Sequence, residues 1–409
     1  MLNRIWAAFF LLALLAAAWR HTVEDDPGVW AAMVASAFEM SKTAFEIALG
    51  LTGVMCLWLG LMKLGELGGL VDTVARGLKP LLVRLFPGVP AEHPAMGAMV
   101  MNLAANALGL DNAATPLGLK AMRELQALNP QPERATDAQI LFLVLNTSGV
   151  TVLPMTILFF RAQLGAADPT DVFLPILIAT FFSTLVGLLV TAALQRLRLI
   201  DPVVLAYLGG LTALVGILVY TLSRLERTEL ERVSSFASNL TISAVILSCV
   251  LAAWWKRIPV YESFIEGARE GFSVAVGIVP YLVAMLVAIG ILRASGAVDL
   301  LLGGVRALVA GFGWDSRFVD ALPVALLRPL SGSGARGMMI EAMKTHGADS
   351  FAGRLACVFQ GSTETTFYTL AVYFGAVGIR KERHALACGL AADLGGVLAS
   401  IAVAYLFFG

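Results

Sequence analysis

Phe359-Gln360-Gly361-Ser362-Thr363-Glu364-Thr365-Thr366 sets a carboxylate among hydroxyls inside a largely apolar stretch, residues 351–378. A second island, Leu327-Arg328-Pro329-Leu330-Ser331-Gly332-Ser333-Gly334-Ala335-Arg336-Gly337, precedes it. The first half of the chain carries a matching pair. These are Asn102-Leu103-Ala104-Ala105-Asn106-Ala107-Leu108-Gly109-Leu110-Asp111-Asn112-Ala113-Ala114-Thr115-Pro116 and Leu145-Asn146-Thr147-Ser148-Gly149. Hydrocarbon accepts Gly- or Pro-broken polar backbone only where protein or a water-filled cavity surrounds it. Paired breaks at corresponding places in two halves are the sequence pattern of a solute site built on broken helices.

Composition places these islands in a membrane. The chain has 409 residues, 58% hydrophobic and 14% charged, and its mean hydropathy is +0.81. Soluble domains carry roughly 25% charged residues, so the expected class is an all-α polytopic membrane protein. The net charge is zero, which gives no electrostatic reason to expect a nucleic-acid partner. Cys56, Cys249, Cys357 and Cys388 stand singly in apolar sequence. That spacing suits neither a metal site nor a redox pair, and no cofactor is expected.

Runs long enough to cross a bilayer are Phe173–Leu194, Val203–Leu222, Phe236–Trp255, Val274–Leu292 and Ala385–Phe408, with a shorter one at Phe45–Met62. Ile5–Trp19 follows Arg4 and ends in three alanines. It reads either as a cleaved leader or, preferred here, as a retained first membrane helix. Between the long runs lie helical pieces too short to span: 95–109, 112–128, 138–146 and 150–164, then 318–330, 333–346, 351–360 and 363–378. Each pair reads as a re-entrant hairpin or a broken helix. Residues 70–86 have helical apolar spacing with Arg76, Lys79 and Arg84 on the other face, the pattern of a helix lying at the interface. Pro80 should kink or restart it.

The two halves align in order. Gly69-Leu70-Val71-Asp72 matches Gly296-Ala297-Val298-Asp299, Lys120-Ala121-Met122 matches Glu341-Ala342-Met343, and Asn146-Thr147-Ser148 matches Gln360-Gly361-Ser362. The separation shortens twice, each time across a polar loop (86–94 and 129–137), where lengths vary most freely. We therefore expect two pseudo-symmetric repeats, inverted with respect to the membrane. The domain division expected is 1–200, a connecting helix and charged loop at 201–239, and 240–409.

The polar residues divide by what they can do. Ser331 and Ser333 precede a helix whose N-terminus favours an anion or polar oxygen. Arg336 in its first turn opposes that dipole unless a carboxylate or phosphate is near. The competing reading is a structural ion pair of Arg336 with Glu364 or Asp393. Glu364 costs several kcal/mol in hydrocarbon unless paired, hydrated or protonated, so it reads as a proton carrier, a cation ligand or a structural partner. Asp393, inside the last span, is the same case in weaker form. Asn112, Thr115, Asn146, Thr147, Ser148, Gln360, Ser362 and Thr363 sit at or beside breaks and are expected to line a solute site. Asn102 and Asn106, four apart on one helix face, read as glue between helices, and Asp111 as an N-cap. The first half supplies amides and the second supplies charge, which suggests one site built from both.

Three functions compete. The first is a secondary transporter of a small polar or anionic solute coupled to H⁺ or Na⁺ through Glu364; no P-loop occurs in the chain, so ATP is not its energy source. The second is a membrane scaffold that binds a partner protein. The third, an intramembrane hydrolase, lacks both a zinc-protease His-Glu-x-x-His and a Gly-x-Ser-x-Gly elbow, and non-enzymatic function is expected. A homo-oligomer in the cell's inner membrane is compatible with the first two.

At these motifs the chain resembles a fusion of spore maturation proteins A and B, of the nucleoside-recognition or gate family. The A-like residues include Trp58-Leu59-Gly60-Leu61-Met62-Lys63, the run from His93 to Asn102, the run from Gly109 to Met122, and Leu145-Asn146-Thr147-Ser148. The B-like residues include the run from Pro280 to Gly290, the run from Arg328 to Gly337, Asp349-Ser350-Phe351, and the run from Gln360 to Tyr368. The resemblance covers nearly the whole chain. It implies a gate domain of the kind shared with nucleoside transporters and ferrous-iron transport membrane proteins, a nucleoside-like solute, and a spore-maturation role without a settled substrate.

Overall fold

A computed structural model describes residues 2–108, 111–149 and 153–409, the side chains of 2–5, 111–113 and 227 excepted. In chain order the helices are α1 (Leu2–Val23), α2 (Val29–Gly68), α3 (Leu70–Leu85), α4 (Pro94–Ala107), α5 (Asp111–Ala127), α6 (Asp137–Ser148), α7 (Met155–Gln163) and α8 (Phe173–Gln195). Then α9 (Pro202–Val204) runs through a π turn (Leu205–Gly209) into α10 (Gly210–Leu222). They continue as α11 (Arg227–Trp255), α12 (Val260–Ala294), α13 (Ala297–Gly311), a 3₁₀ turn (Arg317–Ala321), α14 (Leu322–Leu327), α15 (Gly332–His346), α16 (Phe351–Ser362), α17 (Thr366–Ala376) and α18 (Ala385–Phe408). Among the described residues, seven helices are long and apolar enough to cross a membrane.

The protein is therefore all-helical and multi-pass, with three elements longer than their apolar runs suggested. α2 has 40 residues, about 60 Å at 1.5 Å per residue, twice a hydrocarbon core. Glu39, Lys42 and Glu46 interrupt its hydropathy but not its helix; Lys42 and Glu46 face each other one turn apart at 3.6 Å. α12 extends far beyond 274–292 for the same reason, because Glu262, Glu266, Arg269 and Glu270 are good helix formers. α11 absorbs most of the charged segment expected to be a loop at 223–235, leaving residues 223–226 as the connection. α3 passes unbroken through Pro80, which lies on its exposed face.

The chain divides into two compact units. The first comprises Met1–Gly60, Thr156–Pro169 and Glu266–Gln360. In it α2 and α12 cross where Gly271 has no side chain: a Cβ there would stand 2.5 Å from the Met55 carbonyl oxygen. Gly290 and Gly337 make similar contacts with Met40 and Ile289. Small residues are what allow such approaches in lipid, where association rests on packing and hydrogen bonds rather than on water expulsion. Arg161 near the end of α7 is 0% exposed. Its guanidinium donates to the carbonyls of Ala348 at 2.6 Å, Asp168 at 3.2 Å and Pro169 at 3.3 Å, and to the Asp349 carboxylate at 3.1 Å.

The second unit comprises Leu61–Met155, Thr170–Ile265 and Gly361–Gly409. Its centre is the pair α8 and α18, which pack along their lengths. Gly187, Gly389, Gly395 and Gly396 line the crossing, with a Cβ on Gly395 coming 2.9 Å from Val186. α6 packs against both helices, and the hairpin of α4 and α5 adjoins α17 and α6. Phe142 on α6 and Tyr373 on α17 stack at 6.0 Å. A capping box starts α6: Thr136 accepts from the Gln139 N–H, and the Gln139 side chain accepts from the Thr136 N–H. α3 buries Val71, Ala75, Leu82 and Leu85 and exposes Arg76, Lys79 and Arg84, the amphipathic division its spacing predicted.

Candidate functional site

Two half-helices meet in the second unit. α6 ends at Ser148, and Gly149 turns the chain away with φ +47°. α17 begins at Thr366, preceded by Thr363, Glu364 and Thr365 in extended chain. The Glu364 N–H donates to the Thr147 carbonyl at 2.7 Å, so an orphan carbonyl at the C-terminal end of one helix is satisfied by the chain leading into the other. A Cβ on Gly149 would approach the Glu364 Cγ to 3.1 Å. The first-half and second-half breaks are thus brought into direct contact.

Around this junction most polar atoms satisfy one another. The Asn146 Oδ1 accepts from the Asn106 amide at 2.8 Å and the Tyr373 hydroxyl at 3.2 Å. Its own amide donates to the Phe142 carbonyl at 2.9 Å. Thr147 and Ser148, both fully buried, turn their hydroxyls back onto the carbonyls of Val144 and Leu145. The Thr180 hydroxyl donates to the Gly149 carbonyl, and Ser183 donates to the Ala392 carbonyl at 2.9 Å. Asn102 donates to the Ala114 carbonyl at 2.8 Å, while its Oδ1 is buried with no hydrogen-bond partner among the described residues.

The two acids sit differently. Asp393 on α18 is 4% exposed and accepts from the Thr366 hydroxyl at 2.6 Å. Its charge therefore stands at the N-terminal, positive end of α17, where a carboxylate is favoured. Glu364 is exposed, although Ser362, Thr363, Thr365 and Thr366 around it are buried. The junction thus presents one acidic side chain outward from a packed shell of hydroxyls. Gly396 makes room for that shell: a Cβ there would stand 2.7 Å from the Thr363 methyl and 3.3 Å from the Ser362 hydroxyl.

The remaining candidates fall elsewhere. Thr115 lies exposed on α5, and the side chains of Asp111 and Asn112 lie outside the described residues. Ser331, Ser333, Arg336 and Gln360 belong to the first unit. There Ser331 is the N-cap of α15, accepting from the Gly334 N–H at 3.0 Å, with Ser333 Oγ 3.3 Å from its own. Helix α15 starts at Gly332, so Ser333 lies within its first turn rather than ahead of it. Arg336 lies 6.0 Å from the centre of the Phe160 ring, within reach of a cation–π interaction. Gln360 is buried at the end of α16, its Oε1 without a hydrogen-bond partner among the described residues.

Sequence reading passed over Tyr373, Thr180, Ser183, Thr366 and Arg161. Gly187 of α8 and the three glycines of α18 were the available signal, because small residues mark the faces where helices approach closely enough for hydroxyls to cross-bond.

The family described as Gate: Nucleoside recognition matches residues 48–163 and 275–380. Each matched segment starts in a long helix, α2 or α12, and runs to or just past the end of a half-helix, α7 or α17. The chain is 47% identical to spore maturation protein B of Bacillus subtilis (strain 168) over 175 residues, 43% of this chain and 97% of that protein. It is 39% identical to spore maturation protein A of the same organism over 183 residues, 45% of this chain and 90% of that protein. No solved structure matches significantly. With the family model covering more than half of its residues and two relatives matched over nearly their full lengths, this chain belongs to the nucleoside-recognition Gate family of membrane proteins.

Proposed function

We propose that the protein is a secondary transporter of a small polar or anionic solute, nucleoside-like in the family's sense, coupled to H⁺ or Na⁺ in the cell's inner membrane. The observation that carries the reading is Glu364, exposed at the contact of two broken helices whose other polar groups are packed away. In this reading Glu364 takes the proton or sodium ion. In the second unit the half-helix ends and the polar groups at the breaks (Asn146, Thr147, Ser148, Ser362, Thr363) shape a solute path. Ser331, Ser333 and Arg336 offer a helix N-terminus and a cation to an anionic group. Asp393 holds the α17 terminus in place and is a second candidate for the coupling ion. The breaks act as re-entrant or interrupted spans within two repeats. In support, Gly69 and Gly296 both start their helices in the left-handed conformation, and Ser148 and Ser362 both end short buried helices at a break. No cofactor and no catalytic step is required.

The internal satisfaction of Asn146, Thr147 and Ser148 favours a second reading. A non-transporting scaffold needs its buried polar groups paired and nothing more. The two readings separate in ligand binding. The purified protein should melt higher with one member of a panel of nucleosides, nucleobases, carboxylates or phosphates, because a ligand at 100 times its Kd adds about 2.7 kcal/mol to the native state. Loss of that shift in Arg336→Ala or Glu364→Gln supports the transporter. No shift from any ligand at any pH or sodium concentration moves the assignment to the scaffold.

A further inference from the structure

The boundaries of the compact units do not follow the boundary between the sequence halves. The first unit combines α1, α7 and most of α2 from the first half with α13, α14, α15, α16 and most of α12 from the second. The second unit takes α17 and α18 from the second half and sets them among α3, α4, α5, α6 and α8 of the first. Each compact unit is therefore built from both halves.

In each unit an arginine ties one half to the other. Arg161, near the end of α7, donates to the carbonyl of Ala348 and the carboxylate of Asp349, just ahead of α16. Arg383, two residues ahead of α18, donates to the carbonyl of Ala135 at 3.1 Å and pairs with Asp137 at 2.8 Å, at the start of α6. Backbone bonds reinforce the second clamp. The N–H groups of Arg380 and Lys381 both donate to the Glu133 carbonyl, and the Ala135 N–H donates to the Lys381 carbonyl. Arg161 is fully buried. A half on its own would leave that guanidinium without Ala348 and Asp349, a strongly unfavourable state for a buried charge. It would also strand Asn146 without Tyr373 and Ser183 without the Ala392 carbonyl. By contrast, the helix joining the halves contributes little: over Pro202–Leu222 the buried residues are Val204, Val215 and Leu222 alone.

We propose that the two sequence halves are obligate folding partners, and that the chain is in effect a heterodimer of complementary polypeptides joined by a dispensable connection. The partner that each half fits is the other half. The junction of Thr147 with Glu364 exists only when both are present. Two relatives at near full length each correspond to less than half of this chain, so complementary halves occur as free-standing proteins.

The test cuts the connection in the folded full-length protein. A specific protease site is inserted in residues 223–226, and the detergent-purified protein is cleaved and passed over a sizing column. The expected result is co-elution of both fragments at the uncut position, with a thermal midpoint within a few degrees of the uncut protein. In the Arg161→Met/Arg383→Met variant, the same cut should let the fragments separate, or lower their joint midpoint well below that of the cut wild type. Separate elution of the wild-type fragments, each retaining its own cooperative melt, overturns the proposal. A second arm expresses residues 1–226 and 227–409 from two genes. Copurification of the pair, with each alone aggregating, supports the proposal; either half monodisperse and cooperative alone overturns it.

Discussion

Glu364 and its neighbours show how burial sorts residues that composition leaves equal. Four hydroxyl residues and one acid lie within five positions, yet only the acid is exposed. Replacing Glu364 with Gln keeps its size and hydrogen-bonding backbone. Expression and thermal midpoint should therefore stay unchanged, while any pH or sodium dependence of ligand-induced stabilisation disappears. A variant that merely misfolds would make the residue structural. Gly118 tests the amide cluster, because a Cβ there would collide with the Tyr373 hydroxyl and come 3.0 Å from the Asn102 amide. Gly118→Ala should destabilise the protein by about 1–3 kcal/mol, the usual cost of overpacking a filled site, read as a lower melting midpoint.

His384, at the head of α18, supplies a pH effect outside the spans. Burial and the adjacent Arg383 hold its imidazole below the usual histidine range, with Asp137 opposing them. Its depressed folded-state value means the unfolded chain binds the proton more readily. The stability it confers is present above the ordinary value of about 6.5 and is lost as pH falls through the folded value. The melting midpoint should drop between pH 7 and pH 5, and His384→Gln should flatten part of that drop.

At the scale of elements, the half-helix ends carry the argument. α6 brings carbonyls and α17 brings N–H groups to one junction, and the Glu364–Thr147 bond joins them. The spacing of α8 from α18 determines whether that junction can close. Gly396→Val would press on Thr363, Ser183 and Ser362. It should abolish ligand-induced stabilisation and raise proteolytic sensitivity at residues 363–365, while α3 and its basic face are unaffected. The half-helices were visible in the sequence because Gly, Ser and Thr interrupt apolar runs. The full lengths of α2, α11 and α12 were not, because hydropathy ends where charge begins while helix propensity continues across Glu, Lys and Arg.

For the whole molecule, the mixing of both halves within each compact unit makes Arg161, which bonds across the halves to Ala348 and Asp349, a point of global rather than local stability. Arg161→Ala strips a fully buried donor from the carbonyls of Ala348, Asp168 and Pro169 and should destabilise the first unit by about 1–3 kcal/mol, seen as an early step in thermal unfolding. The sequence by itself determined the class, the spans, the amphipathic α3 and the positions of the breaks. These depend on local periodicity and on what hydrocarbon will tolerate. Tertiary structure alone decided that Asn146 meets Tyr373, that Arg161 meets Asp349, and that Glu364 faces outward while Asp393 is buried. Each of these depends on contacts between residues distant in the chain, and no local pattern encodes which half-helix a neighbouring bundle will accept.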